Sequence, residues 1–198
     1  MKPSIIIFDL MDTIVVDPFY TLFPKYFNMP LKELYKIKNP NIWPLFEIGK
    51  VTEEEYFQQF FLPNSGHQLE DTENLKEAVF AAYSYIDEME EFLAELKNLN
   101  FKLWIHSNYS LWFEEVRKRL SLDQFFQGYS VSYKTTLRKP DPAAYQVTLS
   151  MIGFEAKNCI FIDDRVENIR AAEDVGLNAI QFISVKELKT DLKQYINI

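Results

Sequence analysis

The sequence predicts an α/β fold: a parallel sheet with helices on both faces, and a block of helices inserted after the first strand. Three observations carry this prediction. Short runs of β-branched and aromatic residues with little polar alternation recur along the chain, as in strands buried on both faces. Stretches with apolar residues three and four apart alternate with those runs, which implies right-handed strand–helix–strand units. Residues 17–86, between the first run and the second, carry helical rather than strand patterns.

The first strand is expected over residues 4–9, where Ile5, Ile6, Ile7 and Phe8 run into Asp9. Helices are expected within the insertion at 31–37, at 52–61 and at 72–83. The second of these opens on Thr52 with Glu55 three residues on, a capping box. Between them, residues 62–71 contain Pro63, Asn64, Ser65 and Gly66 and read as a loop. Met89, Phe92, Leu93, Leu96 and Leu99 give a helix over 87–99, followed by a strand over 101–107 and a helix over 111–120. A weak strand pattern at 128–132 precedes a helix over 141–151, with Pro142 in its favoured first turn. Strands at 157–163 and 177–182 complete the sheet.

A chain of 198 residues is long enough for one sizeable core. Its net charge of −8 leaves no basic footprint for nucleic acid or an anionic membrane, so neither is expected as a partner. The apolar run before Asp9 is too short for a signal peptide or a membrane span. Cys159 is the sole cysteine, set in an apolar run, and reads as a structural thiol of a reducing, cytoplasmic setting. The 17 Phe and 11 Tyr exceed what a core requires and leave aromatic surface for a binding cleft.

The chemistry-bearing residues follow the strands. Asp9, Ser107 and the pair Asp163-Asp164 each sit just after an apolar run, and Lys139 lies in Arg138-Lys139-Pro140-Asp141-Pro142. In an open parallel sheet the residues beyond the carboxyl ends of several strands converge on one crevice. Two carboxylate clusters, a hydroxyl and an ammonium there suit nucleophilic attack on a phosphate, with a hard cation and a lysine absorbing charge. The five glycines are scattered and form no phosphate loop, which argues against a dinucleotide-binding oxidoreductase.

These residues resemble the motifs of the haloacid dehalogenase-like hydrolases. Phe8-Asp9-Leu10-Met11-Asp12-Thr13 resembles the first motif, His106-Ser107-Asn108 the second, Lys139-Pro140-Asp141-Pro142 the third, and Ile162 through Asn168 the fourth. The resemblance implies a Rossmann-like core of residues 1–16 and 87–198, with a helical cap domain of residues 17–86. It implies Asp9 as nucleophile, and Mg²⁺ held by Asp9, the Met11 carbonyl and Asp164, with Asp163 in the first or second shell and Asn168 in support. Ser107 and Asn108 would bind the phosphoryl group, and Lys139 would bring its ammonium to Asp9 and the same oxygens. The opening, with Asp17-Pro18-Phe19-Tyr20 after it, is similar to a branch that includes plant chloroplast FMN hydrolases. That likeness suggests a small phosphate ester, FMN among them, as substrate, with Phe19 and Tyr20 overhanging the site.

Each role has a plainer rival. Asp9 could cap a turn, Asp164 could cap the helix after it, and Asn168 could be an ordinary first-turn residue. His106, inside a strand, reads as a satisfied core histidine, and His67 as a loop residue without a partner. Arg138 is expected to reach solvent or a surface acid.

The sequence departs from the family pattern at Met11, where most phosphatases of the superfamily carry a second aspartate that protonates the leaving group. Methionine exchanges no proton, and losing a general acid forfeits roughly 10²–10⁴ in rate. Asp12 is then a displaced acid/base, or turnover proceeds slowly without one, or the site has left phosphatase chemistry. The last case covers a ligand-binding protein without turnover and a dehalogenase, although a dehalogenase does not rely on the Mg²⁺ that Asp163-Asp164 suggests.

Overall fold

Four consecutive apolar residues, Ile5–Phe8, form β1, and all four are buried. Strands β2 (Lys102–Ser107), β3 (Phe126–Val131), β4 (Cys159–Asp163) and β5 (Asn178–Gln181) join it in a parallel sheet of order β3-β2-β1-β4-β5. The computed structural model describes residues 3–196. The chain steps from β1 outward through β2 to β3, then crosses back to place β4 on the other flank of β1. Phe8 pairs with Ile105 and with Ile162, so Asp9, Ser107 and Asp163 emerge at the same end of neighbouring strands. That end of a parallel sheet, at the point where the strand order reverses, is where ligands bind in such folds.

The two faces of the sheet bury alternate residues. Ile6 and Phe8 join a large cluster with Ile105, Ile160 and Ile162, while Ile5 and Ile7 pack with Tyr145, Cys159 and Phe161 on the other side. The strand expected at 128–132 begins two residues earlier. Its signal is weak because Gly128 lies opposite Trp104, and a Cβ at Gly128 would come within 2.4 Å of the indole.

Five helices fill the stretch after β1: α1 (Phe19–Tyr26), α2 (Leu31–Ile37), α3 (Ile42–Glu47), α4 (Glu53–Gln58) and α5 (Thr72–Ala81). The capping box of α4 is present in full, with Thr52 Oγ1 accepting from the Glu55 amide at 3.1 Å and Glu55 Oε2 from the Thr52 amide at 2.7 Å. Helices α1 and α3 lie outside the expected set, since Pro24 and Pro44 interrupt what would otherwise read as helical patterns. The insertion leaves and returns through one narrow stem. There Val15 bridges Tyr85 antiparallel, the Val16 amide donates to the Ser84 carbonyl at 3.0 Å, and the Ile86 amide to the Ile14 carbonyl at 2.9 Å.

Helices α6 (Met89–Asn98), α7 (Phe113–Arg119), the short α8 (Ser132–Thr135) and α9 (Pro142–Ile152) follow in order. Then come α10 (Val166–Asp174) and α11 (Val185–Leu192). Pro142 stands at the start of α9, and Asp141 caps it through the Ala143 amide at 2.9 Å. Among the described residues no helix is long and apolar enough to cross a membrane.

Candidate active site

Lys139 sits where three segments meet. It lies in the loop between α8 and α9, its side chain is 1% exposed, and its Nζ donates to Asp9 Oδ1 and to Asp163 Oδ2, each at 2.6 Å. Two carboxylates share one ammonium in a dry pocket. Burial pushes the Asp9 carboxyl up to about 7; Lys139 opposes that shift and Asp163 adds to it. Burial alone would lower Lys139, yet Asp163 and Asp9 outweigh it and hold the ammonium above its ordinary value. Burial and the charge of Asp163 therefore favour the protonated form of Asp9, and a cation beside it would favour the ionised one.

Asp163 is fully buried and its oxygens are occupied. Oδ1 accepts from the Arg165 amide and from Asn168 Nδ2, both at 2.9 Å, and Oδ2 accepts from Asn168 Nδ2 at 3.0 Å and from Lys139. Asn168 thus supports the neighbouring carboxylate. Asp164 stays half-buried, and burial followed by the charges of Asp163 and Asp12 pushes it up to about 6. It does not cap α10, whose N-terminal residue, Arg165, makes no side-chain cap.

Oxygens of Asp9, Asp163 and Asp164 lie within 4.8 Å of one another. Such an all-carboxylate set suits a hard divalent cation, and carboxyls forced upward in pKa are the groups a cation would hold ionised. Among the described residues, the Met11 carbonyl in the turn after β1 accepts no turn or loop backbone hydrogen bond, which leaves it available as a further oxygen ligand.

The Ser107 hydroxyl is buried and has no hydrogen-bond partner among the described residues. A buried hydroxyl without a partner is costly, and a phosphoryl oxygen would supply one. Thr13 Oγ1, at the end of the first motif, is in the same state. Asn108, expected beside the phosphoryl group, turns its side chain to the lysine loop. Its Nδ2 donates to the Lys139 carbonyl and its Oδ1 accepts from the Lys139 amide, both at 2.8 Å, so the side chain holds the lysine's backbone in place.

Asp12 adopts a left-handed backbone, φ 56°, and its Oδ1 accepts from the Asp17 amide at 3.0 Å. Asp17 in turn accepts from the Phe19 amide at 2.8 Å. Burial raises the Asp17 carboxyl to about 6, with the Phe19 amide opposing and the charges of Asp12 and Asp164 adding. No motif in the sequence assigns Asp17 a role. An acid directly before Pro18, at the exit from the first motif, was the available signal.

Asp17 also lines a cavity of about 300 Å³ walled by Phe19, Tyr20, Tyr35, Trp43, Tyr56, Tyr109 and Trp112. Phe19 and Tyr20 both line this cavity, and the hydroxyl of one wall residue, Tyr109, is hydrogen bonded to that of Tyr83 at 2.6 Å. Lys38 lines the same cavity.

The remaining candidates stand apart from the chemistry. His106 is buried, with Thr148 Oγ1 2.7 Å from its Nδ1, and burial holds it well below its ordinary pKa; it is a core residue, but its Nε2 has no partner among the described residues, so it is not the satisfied histidine expected. His67 is exposed, and its ring bonds the Ser65 carbonyl. Burial raises Cys159 to about 11, which makes it an inert thiol. Arg138 reaches an acid, but a buried one: its Nη2 lies 2.7 Å from Glu47 Oε2 at the end of α3.

Comparison with known proteins agrees with this arrangement. The chain is 38% identical over 191 residues to the chloroplastic flavin mononucleotide hydrolase 1 of Arabidopsis thaliana, covering 96% of this chain and 77% of that one. It is 27% identical over 174 residues to the sesquiterpene phosphatase astK of Aspergillus oryzae, covering 85% of this chain and 86% of the other. In fold it is similar to a HAD-family enzyme of Bacteroides thetaiotaomicron solved with magnesium and inorganic phosphate, at a TM-score of 0.72 and 16% identity, covering 94% and 98% of the two chains. The model of the haloacid dehalogenase-like hydrolases matches residues 3–176, and this chain belongs to that family.

Proposed function

We propose that this protein is a Mg²⁺-dependent phosphomonoester hydrolase that converts FMN to riboflavin and phosphate, with residues 17–86 acting as its cap. The observation that carries the hydrolase reading is the cluster of Asp9, Asp163 and Asp164 about a single buried ammonium, beside a hydroxyl with no partner. The flavin rests on the 38% identity to the Arabidopsis hydrolase and on the aromatic cavity.

Asp9 attacks phosphorus, and the ester P–O bond breaks as an aspartyl phosphate forms. Lys139, held by Asn108 and Asp163, and the Ser107 hydroxyl bind the phosphoryl oxygens as charge builds on them. Asp9, Asp164 and the Met11 carbonyl would hold Mg²⁺, which would supply further positive charge for the phosphoryl group. Asp163, whose oxygens are already hydrogen bonded, positions the lysine. The departing oxygen takes a proton, and water then cleaves the acyl phosphate, releasing phosphate and restoring Asp9.

For that proton we assign Asp12, at the turn where Met11 cannot serve. One observation favours a second donor. Asp17 lines the cavity and holds its proton up to about pH 6, close to the range where a general acid works best. Phosphate and riboflavin release from FMN, measured with and without Mg²⁺, tests the function. Asp9→Asn should reduce it to background, and an unchanged rate would remove Asp9 from the reaction.

A further inference from the structure

Lys38 is a largely buried lysine whose ammonium has no counter-ion among the described residues. The residue is 9% exposed, it lines the aromatic cavity, and among the described residues its ammonium makes no hydrogen bond and no ion pair. The nearest acid that influences it, Glu47, is already taken by Arg138 at 2.7 Å and by Trp43 Nε1 at 2.5 Å. The rings of Phe19 and Phe60 lie 5.7 and 5.6 Å away and offer a partial substitute.

The backbone holds it there. Lys38 ends α2, donates its amide to the Leu34 carbonyl at 2.8 Å, and bridges Phe61 antiparallel, while Asn39 and Leu62 add hydrogen bonds of 2.8 and 2.7 Å on either side. A lysine with a flexible four-carbon stem would ordinarily carry its charge to water. Keeping it unpaired among rings costs stability, and a ligand group would recover that cost.

We infer that Lys38 binds a hydrogen-bond acceptor on the leaving group, so that the cavity takes a planar heteroaromatic ring with an oxygen- or nitrogen-bearing edge and disfavours a purely hydrocarbon one. Walls of Tyr, Trp and Phe suit a flat ring by stacking and edge contact. A cavity of about 300 Å³ is at the small end of the range for small-molecule sites. The two curated relatives act, by their names, on a flavin nucleotide and on a sesquiterpene, and the lysine separates these chemistries. A terpenyl chain has nothing to offer an ammonium and would leave it desolvated, whereas an isoalloxazine presents carbonyl oxygens and ring nitrogens at one edge.

This inference rests on the proposed phosphatase reading, and the test separates the two. Wild type, Lys38→Met and Lys38→Arg are assayed with Mg²⁺ on FMN, farnesyl monophosphate and p-nitrophenyl phosphate, and riboflavin binding is followed by quenching of its fluorescence. We expect Lys38→Met to lose about 10- to 100-fold in kcat/KM on FMN, mainly through KM, with riboflavin binding weakened in step, Lys38→Arg intermediate, farnesyl monophosphate unaffected or improved, and p-nitrophenyl phosphate, whose nitro group is a weak acceptor, losing far less than FMN. The melting temperature of Lys38→Met should equal or exceed that of wild type, an outcome that a purely structural lysine would not give. Equal losses on all three esters, or no loss on FMN, would overturn the role of the lysine and leave the hydrolase standing. A wild type that cleaves p-nitrophenyl phosphate but neither binds riboflavin nor turns over FMN would refute the flavin substrate and this assignment together. Absence of Mg²⁺-dependent release from every ester would refute the phosphatase reading itself.

Discussion

Replacing Lys139 by Met is the most informative single perturbation of the core. The substitution removes the one ammonium between Asp9 and Asp163 and leaves two buried carboxylates to repel each other. Breaking one partner out of a buried ionic cluster costs about 3–5 kcal/mol. In a protein of 198 residues each kcal/mol moves Tm by roughly 2–4 °C, so a fall of about 6–20 °C is expected. The loss should depend on pH with a definite sign. The Asp9 carboxyl titrates at about 7 in the folded protein and near 3.8 when unfolded, so the folded state holds the proton more tightly and Asp9 costs stability progressively as pH rises between those values. Lys139 is the main influence lowering Asp9, so its removal extends that window upward. Thermal unfolding in EDTA at pH 5, 6, 7 and 8 should show the gap between wild type and variant widening as pH rises, with added Mg²⁺ narrowing it. A gap under 2 °C at pH 8, or one that shrinks with rising pH, would refute the shared-ammonium account.

Mg²⁺ must displace protons from Asp9, near 7, and Asp164, near 6, so its affinity by calorimetry should rise from pH 5.5 to 8 with proton release into buffer; a flat profile would contradict the assigned ligands. Ser107→Ala should lower kcat by about 10²–10³, the usual loss for one transition-state donor, without lowering Tm, since the hydroxyl has no partner to lose. Asp12→Asn and Asp17→Asn, assayed side by side, locate the proton donor: the true donor loses about 10²–10⁴ on FMN, and far less on p-nitrophenyl phosphate, whose leaving group needs no proton. If neither variant shows that contrast, turnover proceeds without a general acid, and Met11→Asp should then raise it.

The sheet and the ends of its strands were legible because parallel strands leave an unusually plain record: an uninterrupted apolar run that stops at a functional residue. Asp9, Ser107 and Asp163 all follow that rule. What escaped were features set by tertiary partners. Asn108 reads as a phosphate contact beside Ser107, yet its side-chain amide matches the backbone of residue 139, a pairing across 31 positions that no local pattern encodes. Lys38 looks like an ordinary end-of-helix lysine until Phe19, Phe60 and the aromatic walls close around it. Helices α1 and α3 were obscured by Pro24 and Pro44, whose cost is offset by the packing of Phe23 on Phe60 and of Phe46 on Tyr56, the latter pair stacked at 4.7 Å.

Arg138 and Lys139 show how the insertion and the chemistry are joined. These adjacent residues reach different partners: one cation enters the carboxylate cluster, and the other reaches the buried acid at the end of α3. Glu47 answers on two fronts: its carboxylate takes Arg138 and the Trp43 indole, and its carbonyl accepts the Ser132 hydroxyl at 2.6 Å at the start of α8. Gly49 makes the approach possible, since a Cβ there would sit 3.0 Å from the Tyr133 carbonyl. The loop bearing Lys139 is therefore fixed by Asn108 from β2, by Asp9 and Asp163 from the sheet, and by Glu47 from the insertion. An ammonium that must meet a phosphoryl group within a fraction of an ångström gains from every one of those restraints. Of the four, only Glu47 belongs to the segment that also forms the aromatic cavity, so the seating of the insertion on α8 and the position of the catalytic charge are parts of one arrangement.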